Sequence, residues 1–561
     1  MRFHIALNMA GAVSAGAYTA GVLDFLIEAL DAWYAEKAKQ RQQFGDDTRS
    51  WTIPGHDVVL DAMSGASAGG MCSAIGSVAL RERFDHVHAP VSGRGIAVNR
   101  LYRSWVETID ILPLLGKADL PGGKGPVHSI LDSTPIAKIA GTALKPDPAQ
   151  ALNREWVAEK LAVILTLTNL RGVPYSIDEA NAGSFEERMD YHADRIQFSV
   201  ANDGAADTDS IYGLNYSDAA HPNWQLLATA AMATGAFPVM LATRVLERRR
   251  ADYEKRLWNI AGQEPTEIRP AWDDGVVPAA FQNAYVDGGV TDNDPFELAR
   301  QYVAAAAGND GQNPRSAQSA NAAVISVAPF PGDENFQTSY DAAAQTELGK
   351  VVGSLIGVLV NQSRFQGENL LLTKDPDVYS RYDISPSDDT AGAGPALLCG
   401  ALGAFGGFVE RKFRDHDYQL GRRNCQRFLQ KVFVLPEDNT TIQPGETKTP
   451  EALDAVRQFG FQEDGRYWYP IIPLMPSVAA EIPAPNRADF FTTEARLQQV
   501  AQAAEDRLKA VLEGFASSPG SKHAWLWDAL IVALFGLGGG KIKALVLEKL
   551  QEGLAGQIAA A

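Results

Sequence analysis

Several classes of protein are excluded by what this chain has little of. Only three cysteines occur in 561 residues, Cys72, Cys399 and Cys425, and none forms a C-x-x-C pair. Neither a disulfide framework nor a zinc site is indicated, and so few thiols suit a reducing, cytoplasmic compartment. Positive charge is short as well: 50 Lys and Arg stand against 68 Asp and Glu, for a net charge of -18. Such a surface repels phosphate backbones, so no nucleic-acid partner is expected, and docking on anionic lipid through a polybasic patch is disfavoured. The nine histidines contain no H-E-x-x-H pattern, so no metal is expected. The apolar segment Ala524 to Leu537 is too short to span a bilayer and carries Asp528.

With 46% hydrophobic and 21% charged residues, the chain has the composition of a folded protein large enough for a sizeable core. Strand-like apolar runs recur at Phe3 to Met9, Val58 to Met63, Leu161 to Thr168, Ile196 to Ala201 and Val324 to Ala328, with helical stretches between them. This alternation predicts an α/β fold, a mainly parallel sheet sandwiched by helices. Phe3 to Met9 is short and is followed by Gly11, Ser14 and a helical stretch, so it reads as strand, loop and helix rather than a signal peptide. Leu101, Trp105, Ile109 and Leu112 have helical spacing up to Pro113 and predict a helical insertion that overhangs the site.

Three domains are expected: a core over 1–335, an extension packed on it over 336–484, and a helical C-terminal segment over 485–561. In the last, Leu497, Val500, Ala504, Leu508 and Val511 form one apolar stripe, read as a helix buried against the body. The segment Ala524 to Leu537 leaves a peripheral membrane contact open.

Chemistry concentrates in Val58 to Leu80. An apolar strand ends in Gly65-Ala66-Ser67-Ala68-Gly69 and a helix-compatible stretch follows, the strand-turn-helix context that G-x-S-x-G requires. Ser67 is the candidate nucleophile, and Gly65 and Gly69 are the small residues a tight elbow needs. The first loop, Ala10 to Tyr18, is made of small residues that can offer consecutive N–H groups to an oxyanion. It does not match G-x-G-x-x-G, which argues against a dinucleotide. A third motif, Ala284 to Pro295, places Asp287 at the end of a short apolar strand before Gly-Gly. Asp292 and Asp294 read as turn and cap residues.

In this order the three motifs resemble the patatin-like phospholipase family, over roughly Met1 to Phe330. Gly21-Val22-Leu23, Ala233 to Pro238, Asn293 and Pro295 add to the likeness. The oxyanion loop departs from the usual Gly-Gly-Gly-x-Arg/Lys-Gly: Gly11, Ala12 and Val13 stand on the three glycines and Ala15 on the basic residue, similar to the Gly-Gly-Val-Ser variant of some bacterial patatin-like proteins.

The resemblance implies a serine lipid acyl hydrolase with a Ser67-Asp287 dyad, an oxyanion hole from Gly11, Ala12 and Val13, a phospholipid or other acyl-lipid substrate, and no cofactor. A carboxylate base would keep activity in mildly acidic buffer unless burial raises its pKa. Two rivals stand beside this reading. One is a non-catalytic lipid-binding or scaffold protein on the same fold. The other is an α/β-hydrolase triad, whose histidine would have to be His416 or His523. The segment Phe405 to Leu429 also looks like one found in larger bacterial patatin-like proteins. Its Arg422, Arg423 and Arg427 near Cys425 read as a structural ion-pair cluster around a buried thiol, or as an anion site.

Overall fold

The computed structural model describes residues 2–90, 99–120, 126–178, 186–258, 266–272, 275–330, 375–389, 395–442, 448–517 and 541–559, with residues 342–343, 346, 358–359, 362–363 and 391. Its centre is a nine-stranded mixed sheet. The strands are β1 (Arg2–Met9), β2 (Asp57–Gly65), β3 (Val157–Asp178), β4 (Glu186–Ala201), β5 (Tyr212–Asn215), β6 (Arg244–Arg249), β7 (Ala280–Asp287), β8 (Ala322–Val327) and β9 (Arg381–Ile384). Their main order is β9-β8-β1-β2-β3-β4-β5, parallel from β9 through β3. The mainly parallel α/β architecture expected from the apolar runs is therefore present.

Strand periodicity sorts the two faces. Phe3, Ile5, Leu7 and Met9 of β1 enter the large core, which also takes α1 (Gly16–Phe44) and α2 (Ser67–Ala79). Ala6, Ala62 and Ala162 point the other way, and their small side chains let Phe296, Ala299 and Val303 of a helix over Phe296–Ala306 lie close on the sheet. β3 and β4 run well past their apolar cores as an antiparallel ribbon from Leu161↔Val200 to Asp178↔Glu186. The apolar run stops near Thr168, which is why the sequence pattern understates their length.

The insertion after β2 is a series of short turns: Arg100–Tyr102, a π-type turn over Arg103–Thr108, and Ile111–Leu114. The break falls at Ile109, whose backbone is extended, and Asp110 caps the next turn by accepting from Leu112 N at 2.9 Å. Pro113 thus lies inside a second turn instead of closing the first.

Helix α1 is apolar and long enough to cross a membrane by length and composition, yet 89% of its most apolar window is buried within the protein. Much of that cover is a helix of the extension, Arg411–Lys431, which crosses α1 where Gly21 meets the Tyr418 carbonyl and Gly421 meets the Tyr18 carbonyl. A side chain at either glycine would enter backbone of the other helix. Beside the crossing, buried Arg422 pairs with Asp24 and, at 2.5 Å, with Glu28. His86 joins this cluster through Nδ1 to Asp24 at 2.8 Å. Arg423 and Arg427 share Asp389 at 3.0 and 2.8 Å, and burial pushes the Cys425 thiol well above its usual range. The arginines are thus paired within the fold, and the thiol is not activated.

The stripe at Leu497 lies on a helix over Glu494–Ser517, with Leu497, Val500 and Val511 buried. Arg507 on the same helix is buried and binds Asp119 at 2.8 Å and the Ile130 carbonyl at 2.7 Å, fastening the helix to the insertion. The segment Ala524 to Leu537 and His523 lie outside the described residues.

Candidate active site

The sheet brings two distant strand ends together along one edge of β3. β4 occupies the opposite edge of β3 over Leu161 to Thr168. β2 pairs with β3 in parallel as far as Gly65↔Leu165, and β7 pairs with it antiparallel from Asn169↔Tyr285 to Leu167↔Asp287. β2 and β7 therefore approach carboxyl end to carboxyl end, separated by one residue of β3, Thr166. Ser67 follows one end and Asp287 terminates the other, and Ser67 Oγ donates to Asp287 Oδ2 across 2.6 Å.

Ser67 holds φ at +52°, a left-handed conformation that costs a side-chain-bearing residue about 1–3 kcal/mol and persists only where the surroundings enforce it. They do so tightly. A side chain at Gly69 would strike the Met9 carbonyl, and one at Gly65 would lie 2.5 Å from the Gly69 backbone. The Ser67 N–H donates to Thr234 Oγ1 at 2.9 Å. Asp287 is almost fully buried, with Oδ1 accepting from Gly289 N at 2.8 Å and its own N–H donating to the Ala236 carbonyl at 3.0 Å. Burial raises its carboxyl to about 7, against the opposing pull of the Ser67 and Gly289 hydrogen bonds. The segment Ala233 to Pro238 thus serves both residues: Thr234 holds the serine, Ala236 the aspartate strand.

The first loop packs against this pair. Gly11 N–H donates to the Asn293 carbonyl at 3.3 Å. The Ala12 and Val13 N–H groups make no hydrogen bond among the described residues, and Val13 sits at φ +48°. Of the three N–H groups expected to face an oxyanion, Gly11 is engaged, whereas Ala12 and Val13 are unengaged within the described residues. In the turn after Asp287, Asp292 N–H donates to the Gly288 carbonyl, as a turn residue does, whereas the Asp294 carboxylate accepts from Asn8 of β1 and Pro295 takes the N-cap of the helix over Phe296–Ala306, so Asp294 is not the cap expected from the sequence.

Ser67 and Val13 open onto an apolar cavity. Its walls come from α2 (Ala68, Met71, Ile75), the insertion (Trp105, Ile109, Leu114), a helix over Thr134–Ala143 (Ile136, Ile139, Ala140), Phe237 and Leu241, and from Phe405 and Phe408 of the extension. The insertion does overhang the site. The sequence marked Ala233 to Pro238 and Phe405 to Leu429 by likeness but gave Thr234, Phe405 and Phe408 no role at Ser67, because only the chain path brings positions some 170 to 340 residues away to it. Helical spacing had at least flagged Trp105 and Ile109.

His416 is buried with Nδ1 2.8 Å from Asp417 Oδ1, Nε2 3.8 Å from Asp388, and its ring against Phe490. Among the described residues no histidine hydrogen-bonds Ser67 or Asp287. No group of side chains among them is arranged to hold a metal.

A strained serine on a strand-to-helix turn, bonded to a buried aspartate beside an apolar cavity, has the makings of a hydrolase for apolar acyl esters. Comparison with known proteins gives the class: the model of the patatin-like phospholipase family matches residues 7–300, and the chain belongs to that family of lipid acyl hydrolases. It is also similar to an uncharacterized protein, y4iI, of Sinorhizobium fredii (strain NBRC 101917 / NGR234), at 36% identity over 531 residues, 87% of this chain and 72% of that protein. That likeness extends well beyond the residues the family model matches.

Proposed function

We propose that this protein cleaves fatty-acyl esters of phospholipids or related lipids with a Ser67-Asp287 dyad. The observation that carries the reading is the 2.6 Å hydrogen bond from Ser67 Oγ to Asp287 Oδ2 at the wall of the apolar cavity. Asp287 takes the Oγ proton as Ser67 attacks the ester carbonyl, whose acyl chain lies in the cavity. The Ala12 and Val13 N–H groups stabilise the oxyanion, with Gly11 holding the loop to Asn293. The leaving alcohol or lysolipid departs with the proton from Asp287. The same carboxylate then activates water, which releases the fatty acid and restores Ser67. The setting we propose is a reducing cytoplasm, for which the buried, unpaired cysteines speak, with a peripheral membrane contact to reach the lipid.

A purely lipid-binding role would have no use for a left-handed serine bonded to a buried carboxyl. Labelling with a fluorophosphonate, together with lipid products from mixed phospholipid vesicles, tests the reading. We expect a Ser67 adduct and free fatty acid; an unlabelled Ser67 in folded protein with no fatty acid released would leave a binding protein.

A further inference from the structure

Val13 carries a β-branched side chain at φ +48°, and its N–H has to keep that orientation for the loop to meet an oxyanion. The neighbour that holds it is Ser14, which is fully buried. Ser14 N–H donates to the Ala404 carbonyl at 3.2 Å, Ser14 Oγ donates to the same carbonyl at 2.5 Å, and Oγ accepts from Gly407 N at 3.1 Å. All three bonds cross to the extension. A side chain at position 407 would come within 2.7 Å of Ser14 Oγ, so only glycine allows this approach.

The segment that grips Ser14 is itself gripped. Leu402, Gly403 and Ala404 are consecutive left-handed residues, at φ +56°, +62° and +72°. Leu398 N and Cys399 N both donate to the buried Asp417 carboxylate at 2.9 Å. Arg414, also buried, donates to the Gly407 carbonyl and, at 2.9 Å, to the Val106 carbonyl of the insertion. Asp417 and Arg414 lie on the helix that crosses α1 at Gly21. Phe405, within the same segment, lines the cavity with Ser67 and Val13.

From these contacts we infer that the extension is a working part of the active site: Ser14, clamped by Ala404 and Gly407, is a positioning residue that keeps the Val13 N–H on the oxyanion. The inference rests on the dyad reading above. It gives the Phe405 to Leu429 motif a role, since its Gly407 touches Ser14 while Arg414, Asp417 and Gly421 hold the segment to the core. A loop poor in glycine and lacking a basic residue is held from outside by this clamp. Loss of the clamp lets Val13 relax to the right-handed region and carries its N–H away from the developing charge.

Ser14→Ala and Gly407→Ala in the full chain test this, with melting temperature recorded for each. Turnover of a soluble ester is expected to fall about 10- to 100-fold with KM within about twofold, as for an interaction made only in the transition state. Affinity for an acyl trifluoromethyl ketone, which forms an oxyanion on Ser67, should fall by the same factor, while affinity for oleate stays level. A merely structural role would not separate the two ligands. A folded variant with wild-type turnover, or an equal loss of oleate affinity, overturns the clamp. If only one variant folds, it decides; if neither does, the clamp is refuted as a separable positioning device. Should the wild-type protein itself show no Ser67-dependent hydrolysis, the dyad reading falls and takes the clamp with it. Ser67-dependent hydrolysis that stays at the wild-type rate in Ser14→Ala removes the clamp alone.

Discussion

Ser67 and Asp287, 220 residues apart in the chain, are hydrogen-bonded at 2.6 Å because β2 and β7 end against each other on the same edge of β3. The pair is as close as a nucleophile and its base need to be, and it is shielded from water. Replacing Ser67 by Ala removes one hydroxyl from a turn built for small residues. Ester hydrolysis should fall by roughly 10³- to 10⁶-fold in a protein that still melts cooperatively. Retention of more than a tenth of wild-type turnover would exclude Ser67 as nucleophile.

Asp287 acts as a base only when ionised, and burial holds its carboxyl near 7. Turnover should therefore fall about tenfold per pH unit below neutrality, instead of persisting in mildly acidic buffer as an exposed carboxylate would allow. A pH profile of kcat/KM checks this, and a plateau extending below pH 5 would rule out the buried carboxyl as base.

The same burial has a cost in stability whose sign is fixed. An acid with a higher pKa folded than unfolded binds its proton more tightly in the native state, so stability falls as pH rises from about 4 to about 7 and levels off above. From the ordinary 3.8 to about 7, the effect is on the order of 4 kcal/mol at most. Asp292, also raised to about 7 by burial and by Asp294, acts with the same sign. Asp287→Asn should be nearly inactive yet gain stability over wild type as pH rises. Denaturant titrations at pH 4.5 and 8 measure that gap, and an equal gap at both would contradict the raised pKa.

His416 bonds Asp417 and packs on Phe490, with no bond to the dyad. His416→Ala should lower stability by about 1–3 kcal/mol, the cost of removing one of the hydrogen bonds made to the buried Asp417 carboxylate, which keeps Leu398 N and Cys399 N, and keep turnover within about tenfold of wild type. A folded variant as inactive as Ser67→Ala would restore the triad reading.

Ala140 lines the cavity from the helix over Thr134–Ala143. Ala140→Phe fills acyl space and should reduce hydrolysis of long-chain esters at least about tenfold relative to butyrate esters, at an overpacking cost of about 1–3 kcal/mol. An unchanged chain-length profile would place the acyl chain elsewhere.

Gly421→Ala should destabilise by about 2–4 kcal/mol, although glycine to alanine inside a helix ordinarily stabilises by about 1 kcal/mol. The sign reverses because the new methyl would meet the Tyr18 carbonyl across the helix crossing. Calorimetry of the full chain distinguishes the two signs.

The sequence by itself determined the class of fold and the order of its chemistry. Apolar runs on a strand period, small residues around Ser67 and an aspartate closing a short strand are local patterns, and local sterics read them out wherever they occur. Tertiary structure decided what depends on chain path. It engaged Gly11 N with Asn293 and left Ala12 and Val13 without a bond among the described residues. By burying Asp287 it raised a carboxyl that is ordinary in sequence. It turned Arg422 inward to Asp24 and Glu28, and set Thr234, Phe405 and Ser14 around one reaction centre. Desolvation and long-range contacts have no sequence period, so they emerge only once the helix of the extension has crossed α1 and the strands have met on β3.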